Sequence, residues 1–169
     1  MANHCINRLT LTSMSEDKVI EVLEFIKKDK DNIYGETDGI GTIDFNKILP
    51  EPLHNSKAAW DRWCNNHWGT SRNAYDCVYD SDSQSITFNT AWTPPYRVIE
   101  ALARRFPKVL FTLRYAESRM GFAGIYEFEN GRITLDNIYS VDEYCDDYGR
   151  ELSKDLLGFD MFIQKGNAA

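Results

Sequence analysis

The spacing of apolar and polar positions changes period several times along the chain, and each change marks an element. His4 to Thr12 alternates, with Cys5, Asn7, Leu9 and Leu11 on one side and Ile6, Arg8 and Thr10 on the other. A period of two belongs to a strand, because successive side chains leave opposite faces of a pleated backbone. Val19, Val22, Leu23 and Ile26 then recur at helical spacing, with Glu21, Glu24, Lys27 and Lys28 opposite them. That pattern predicts an amphipathic helix ending near Asp29, and Ser13 with Glu16 supplies the spacing of a capping box at its start. Residues 29–41, polar and containing Gly35, Gly39 and Gly41, read as a loop whose glycines do not match a phosphate-binding loop. Thr42 to Leu49 reads as a short edge strand closed by Pro50 and Pro52.

From Ser56 to Trp68 the pattern is helical again, with Trp60, Trp63 and His67 at i, i+3 and i+7 and Gly69 as the stop. Residues 73–79 and 85–90 are strand-like and flank a polar turn, which predicts a hairpin. Thr93 as N-cap and Pro94 near the first helical position open another helix. Its stripe is Val98, Ile99, Leu102 and Phe106, and Pro107 ends it. Three strands follow at 109–115, 122–128 and 132–135, the last two joined by the tight-turn pair Asn130-Gly131. Beyond Asn137 the pattern is fragmentary and mainly helical. The simplest architecture for this order is an α+β, ferredoxin-like α/β sandwich over 1–135. Its sheet is mixed or antiparallel, with helices on one face. Residues 136–169 form a helical, acidic C-terminal extension packed on the same domain.

Composition adds three constraints. With 169 residues, 43% of them hydrophobic, the chain can bury one substantial core. It has no apolar run of membrane-spanning length and no charged-then-apolar leader at the N-terminus, so no membrane association is predicted and the expected location is cytoplasmic. The four cysteines, at 5, 64, 77 and 145, are too scattered for a disulfide framework and read as reduced thiols. Charge is uneven: residues 136–169 hold eight acidic against three basic side chains, a net -5 of the chain's -7. Phosphate-backbone affinity is carried by lysine and arginine, so direct nucleic-acid binding is disfavoured. An acidic face is ordinarily a solvated surface; its functional reading is an approach to a basic patch on a partner protein.

Five separated motifs carry a family resemblance: Met1 to Asn7; Phe45-Asn46-Lys47-Ile48-Leu49-Pro50 with Pro52; Trp68-Gly69-Thr70 with Asn73-Ala74-Tyr75-Asp76; Phe88-Asn89-Thr90-Ala91-Trp92 with Pro94-Pro95; and Phe106-Pro107 leading to Leu113-Arg114-Tyr115-Ala116-Glu117. In this order they resemble the YubB-type ferredoxin-like domain family of plasmids and phages, which takes in the phage Api-like proteins. The resemblance covers roughly Met1 to Arg132. Two departures bear on the surface: His4 stands where the family often has tryptophan, and Ser71-Arg72 where it often has Lys-Trp. The resemblance implies a mobile-element origin and a ferredoxin-like fold without an iron–sulfur cluster, and it implies no particular enzymology. The residues agree on the cluster, since a closely spaced cysteine series is absent.

Each candidate chemistry has a plainer rival. Cys64 and His67, three apart on a helix, with His4 or Cys5 would make a tetrahedral metal set. Adjacent residues on a strand diverge, so no metal and no cofactor is expected. Asp76 and Glu117 are the one conceivable acid–base pair. They serve equally well as loop-fixing partners of Arg72 or Arg114. Phe111, Tyr115, Phe122, Tyr126 and Phe128 are material for base stacking, without the basic residues that usually accompany it. Trp60 and Trp63 read as core, whereas Trp68 and Trp92, at element ends, read as partly exposed.

The expected function is therefore non-catalytic binding of a host protein complex, such as one that normally holds nucleic acid, as in inhibition of a host defence complex. The expected contact residues are Trp68, Arg72, Asp76, Trp92 and Glu117, with the acidic Asp142, Glu143, Asp146 and Asp147. A small enzyme or ligand-binding domain with a carboxylate cleft, and a single-stranded nucleic-acid binder, are the competing readings.

Overall fold

The computed structural model describes residues 3–29, 38–142 and 145–163. In chain order the elements are β1 (His4–Thr12), α1 (Glu16–Ile26), α2 (Phe45–Ile48), α3 (Lys57–His67), β2 (Tyr75–Asp80), β3 (Ser85–Ala91), α4 (Tyr96–Arg105), β4 (Leu110–Glu117), β5 (Phe122–Glu129), β6 (Arg132–Ser140) and α5 (Asp147–Leu157). The strands form one sheet in the order β2-β3-β1-β4-β5-β6, antiparallel throughout. The first alternating stretch thus becomes a central strand, with Leu9 paired to Ile86 on one side and to Leu113 on the other. Strands β2-β3-β1-β4 with α1 and α4 make the split βαβ arrangement of a ferredoxin-like fold, and β5 and β6 extend it.

The alternation sorts each strand into two faces. Cys5, Leu9 and Leu11 meet Ile86, Phe88, Phe111, Leu113 and Phe128 beneath α1, α2, α3 and α4, and all are buried. Burial on this scale contributes on the order of 2 kcal/mol per large side chain. The opposite face begins with Ile6, Ala116, Ala123 and Tyr139, covered by Leu152, Leu156, Met161 and Phe162. So α1–α4 lie on one face, as the pattern implied, and α5 closes part of the other. Arg8 on that second face binds Asp155 of α5 at 2.6 Å.

Four boundaries differ from the sequence reading. Thr42 to Leu49 is not a strand: the Asp44 side chain accepts from the Asn46 amide at 3.0 Å and starts α2, which drives Phe45 into the core. The capping box does not form, because the Ser13 hydroxyl donates to the Lys108 carbonyl and α1 begins after Ser15. Helix α4 starts at Tyr96, two residues late, because the Thr93 hydroxyl is engaged by the Gly69 carbonyl. Beyond Asn137 the chain stays extended to Ser140 before α5 begins. Among the described residues no helix is long and apolar enough to cross a membrane.

Candidate functional site

At the end of β3 the chain turns through a left-handed tryptophan. Trp92 has φ 72° and is 44% exposed. Such a backbone costs a bulky residue roughly 1–2 kcal/mol and persists only where surroundings impose it. Here the imposition is visible. The Trp92 amide donates to the Asn3 carbonyl at 2.9 Å, and the Thr93 amide to the Ala91 carbonyl at 2.9 Å. The Thr90 hydroxyl donates to the Thr93 carbonyl at 2.8 Å, while the Thr70 hydroxyl reaches the Ala91 carbonyl at 2.7 Å. With the Thr93–Gly69 bond at 2.6 Å, the loop after α3 is tied to the loop after β3. Gly69 itself is left-handed at φ 80°, the conformation that ends α3.

Around this corner stand Arg72 and Asp76, both exposed, and Tyr75, whose hydroxyl is hydrogen bonded to His4 Nδ1 at 2.7 Å. Burial pushes the Tyr75 phenol up, Asp76 pushes the same way, and Arg72 opposes them, so all three occupy one neighbourhood. Asp76 is a second left-handed residue, φ 52°, at the bulge in the β2–β3 pairing, and its carboxylate accepts from Asn89 Nδ2 at 3.1 Å.

Trp68 is not part of this surface. It is 1% exposed, donates its indole N–H to the Leu49 carbonyl at 2.9 Å, and packs edge-on to Phe45 and Trp63. Its expected partial exposure is therefore corrected: the left-handed Gly69 folds the chain back and leaves the indole under α2. Trp60 and Trp63, expected in the core, are only half-buried; Trp60 donates to Glu51, and Trp63 stacks on His67.

Glu117 is also buried, at 1% exposure, and accepts from the Arg119 amide at 3.0 Å and from the Met120 amide. It closes the β4–β5 turn and is not a surface contact. Two strands separate β2 from β4, so Asp76 and Glu117 stand roughly 14 Å apart at the usual strand spacing and form no acid–base pair. Their rival role was half right: Glu117 does fix a loop, through backbone amides instead of arginine.

The acidic positions divide. Asp146 caps α5 by accepting from the Gly149 amide at 2.8 Å, and Asp147 lies exposed in the first turn, where a carboxylate complements the helix dipole. Asp142 is exposed just past β6. Glu143 lies outside the described residues. Asp160, its side chain 4% exposed, is within 3.6 Å of Arg150 and 3.7 Å of Lys154. Because Ser140 pairs with Phe122, and Val141 donates to Gly121, Asp142 lies at the same end of the sheet as Trp92. Four strand spacings, about 19 Å, separate them.

The residues expected for other chemistries are dispersed. Cys64 faces the core while His67 is exposed, its Nδ1 2.9 Å from the Trp63 carbonyl. Among the described residues no three His, Cys, Asp or Glu side chains converge as metal ligands. Phe111, Tyr115, Tyr126 and Phe128 are buried beneath the helices and Phe122 is half-buried, so these five aromatics form no open platform for bases. Cys5, Cys64 and Cys145 are free thiols. Burial raises the Cys5 thiol far above its ordinary range, and pushes Cys64 up to about 11, helped by Glu51 and Asp61. At pH 8 a thiol with that value is thiolate in only about one molecule in a thousand, so iodoacetamide should label the half-buried Cys77 and Cys145 first. Mass spectrometry should find Cys5 and Cys64 modified only on unfolding; fast labelling of Cys64 in the native protein would contradict its burial. A raised folded value also means that this stabilisation is intact below about pH 9 and is lost as pH rises toward 11.

A sheet ordered β2-β3-β1-β4 with helices over one face defines a ferredoxin-like domain. The family described as the ferredoxin-like domain in Api92-like protein matches residues 65–160, and the chain belongs to that family. The matched region includes β6 and α5, beyond the stretch over which the sequence motifs were recognised. Among solved structures, the crystal structure of a protein Api92 from Yersinia pseudotuberculosis is similar, with TM-score 0.50 and 14% identity. The likeness covers 62% of this chain and 42% of that one, so the chain spans less than half of that relative's length. At this identity the likeness bears on fold. No curated protein matches the chain.

Proposed function

We propose that this protein is a non-catalytic binding protein of a phage or plasmid that acts on a host protein complex through the Trp92 end of its sheet. The observation that carries the reading is Trp92 itself, exposed and left-handed, with a hydrogen-bonded frame holding it. Exposed tryptophan beside arginine is the usual composition of an interface anchor. Arg72 and Asp76 supply the polar rim, and Asp142 and Asp147 give the same molecule an acidic flank. Within this class the sharpest version is inhibition of a defence complex, in which the acidic flank occupies a basic channel that otherwise holds nucleic acid.

Co-purification from host lysate, followed by affinity measurement with the recovered partner, tests it. Trp92→Ala is expected to weaken binding by about 2 kcal/mol or more, the range of an interface hot spot. Trp92→Gly should weaken it equally while unfolding no earlier than the parent, since glycine relieves the backbone strain. Neutralising Asp142, Asp146 and Asp147 together should slow association and reduce its salt dependence. A partner retained undiminished by both Trp92 variants would sink this reading.

A further inference from the structure

The sheet has two edges, and they are finished differently. β2 is six residues long, is broken by a bulge between Tyr75 and Val78, and exposes Asp76 and Asp80. Short length, a bulge and edge charges are the devices that prevent further pairing. β6 is nine residues long, and its irregularity falls early, opposite the Glu127–Phe128 step. From Leu135 to Ser140 it pairs with β5 in unbroken register, and no described strand lies beyond it.

The side chains along that edge have a pattern. On the face shared with Tyr126 and Gly124, β6 presents Asp136 and Ile138, and across the bulge Ile133. Ile138 is 57% exposed and Ile133 39% exposed. Asp136 is exposed and has no ion pair among the described residues. Asp136 pairs with Tyr126, against which Tyr96 of α4 packs, and the Tyr96 phenol is held above its ordinary value by burial, then by Glu100 and Asp136. Glu100 is already paired with Arg104 at 2.8 Å, which leaves Asp136 as the charge to be met.

We infer that β6 is a strand-docking edge for an extended segment of another protein, with lysine or arginine opposite Asp136 and an aliphatic residue two positions along, opposite Ile138. The unpaired ladder supplies the main-chain hydrogen bonds, and alternate side chains supply the selection. A second copy of this chain is the poorer occupant. Antiparallel pairing over the whole strand puts Asp136 opposite its own counterpart, and like charges directly opposed destabilise a ladder. This inference rests on the unpaired edge and not on the Trp92 corner.

The test uses the full chain and a fluorescein-labelled eight-residue peptide, Thr-Lys-Thr-Val repeated twice, so that lysine and valine alternate along one face, with the same peptide carrying glutamate for lysine as control, followed by fluorescence anisotropy. Saturable binding of the lysine peptide is expected, together with slowed amide hydrogen exchange confined to β6. Asp136→Lys should weaken that peptide about tenfold and give the glutamate peptide the advantage, because each charge pair changes sign. The swap separates recognition from misfolding, since an unfolded variant gains affinity for neither peptide. Trp92→Ala should leave the peptide affinity unchanged, so this inference and the Trp92 reading can fail separately. Equal affinity for the two peptides, no binding, or a dimer in equilibrium sedimentation that Asp136→Asn strengthens would each overturn it.

Discussion

Trp68→Ala is expected to cost about 3–5 kcal/mol of folding stability, the range for truncating a large buried aromatic. That is a large fraction of the roughly 5–15 kcal/mol that holds an ordinary domain together. Three losses add. The core loses the indole, which is 1% exposed. Phe45 and Trp63 lose an edge-on partner with ring centroids 5.6 and 5.4 Å away. The Leu49 carbonyl loses its donor at 2.9 Å. Trp68→Phe keeps much of the packing and should cost less, with about 1 kcal/mol assigned to the missing hydrogen bond. Urea unfolding of the three proteins measures both steps. A surface anchor would behave otherwise, changing stability by under about 0.5 kcal/mol. A small effect of Trp68→Ala would therefore return this residue to the interface.

The contrast between Trp68 and Trp92 shows what periodicity can and cannot reveal. The long helices and strands β1 to β5 were legible because each buries a face, which writes a period of 2.0 or 3.6 into the sequence, whereas β6, mostly exposed, was marked by the Asn130-Gly131 turn before it. The helix of Trp60, Trp63 and Cys64 was found in this way. Which tryptophan lies deepest was not, since Trp68 is buried by a carbonyl 19 positions earlier and by α2, both non-local. Ile43 and Phe45 alternate as a strand would, yet Asp44 is a cap, and an Asx cap and an extended pair look alike over so few residues. The left-handed backbone of Trp92 has no signal of its own, because glycine or asparagine is the usual mark of that conformation. Its frame, by contrast, was present as two motifs: Trp68-Gly69-Thr70 and Thr90-Ala91-Trp92-Thr93 interlock through Thr70, Thr90 and Thr93. The acidic tail read as one charged face, although Asp146 caps a helix, Asp155 binds Arg8 and Asp160 is nearly buried. Charge counts do not distinguish carboxylates with structural work from those left to solvent.

Gly124→Ala should be the most damaging single-methyl addition in the sheet, at about 3 kcal/mol or more, the upper end for overpacking. Gly124 pairs with Tyr115 of β4, whose ring lies over the glycine and stacks on Tyr126 with centroids 5.0 Å apart. A β-carbon at 124 would overlap the Tyr115 phenol oxygen and ring carbon Cζ and would sit 2.7 Å from the Asn137 carbonyl oxygen. The phenol has little freedom to withdraw. Tyr115 is 1% exposed, and burial, with the neighbouring Tyr126 hydroxyl, holds it protonated far above the ordinary tyrosine range. The backbone on the other side belongs to β6, so the added methyl either displaces the ring or pushes β6 outward. Thermal unfolding should fall by roughly 6–12 °C for a domain of this size. A double-mutant cycle separates the two sources of strain. If the ring is the main obstacle, Gly124→Ala should cost at least about 1 kcal/mol less in a Tyr115→Ala background than in the parent. Strict additivity would instead place the strain at the Asn137 carbonyl, and hydrogen exchange in β6 should then accelerate equally in both backgrounds.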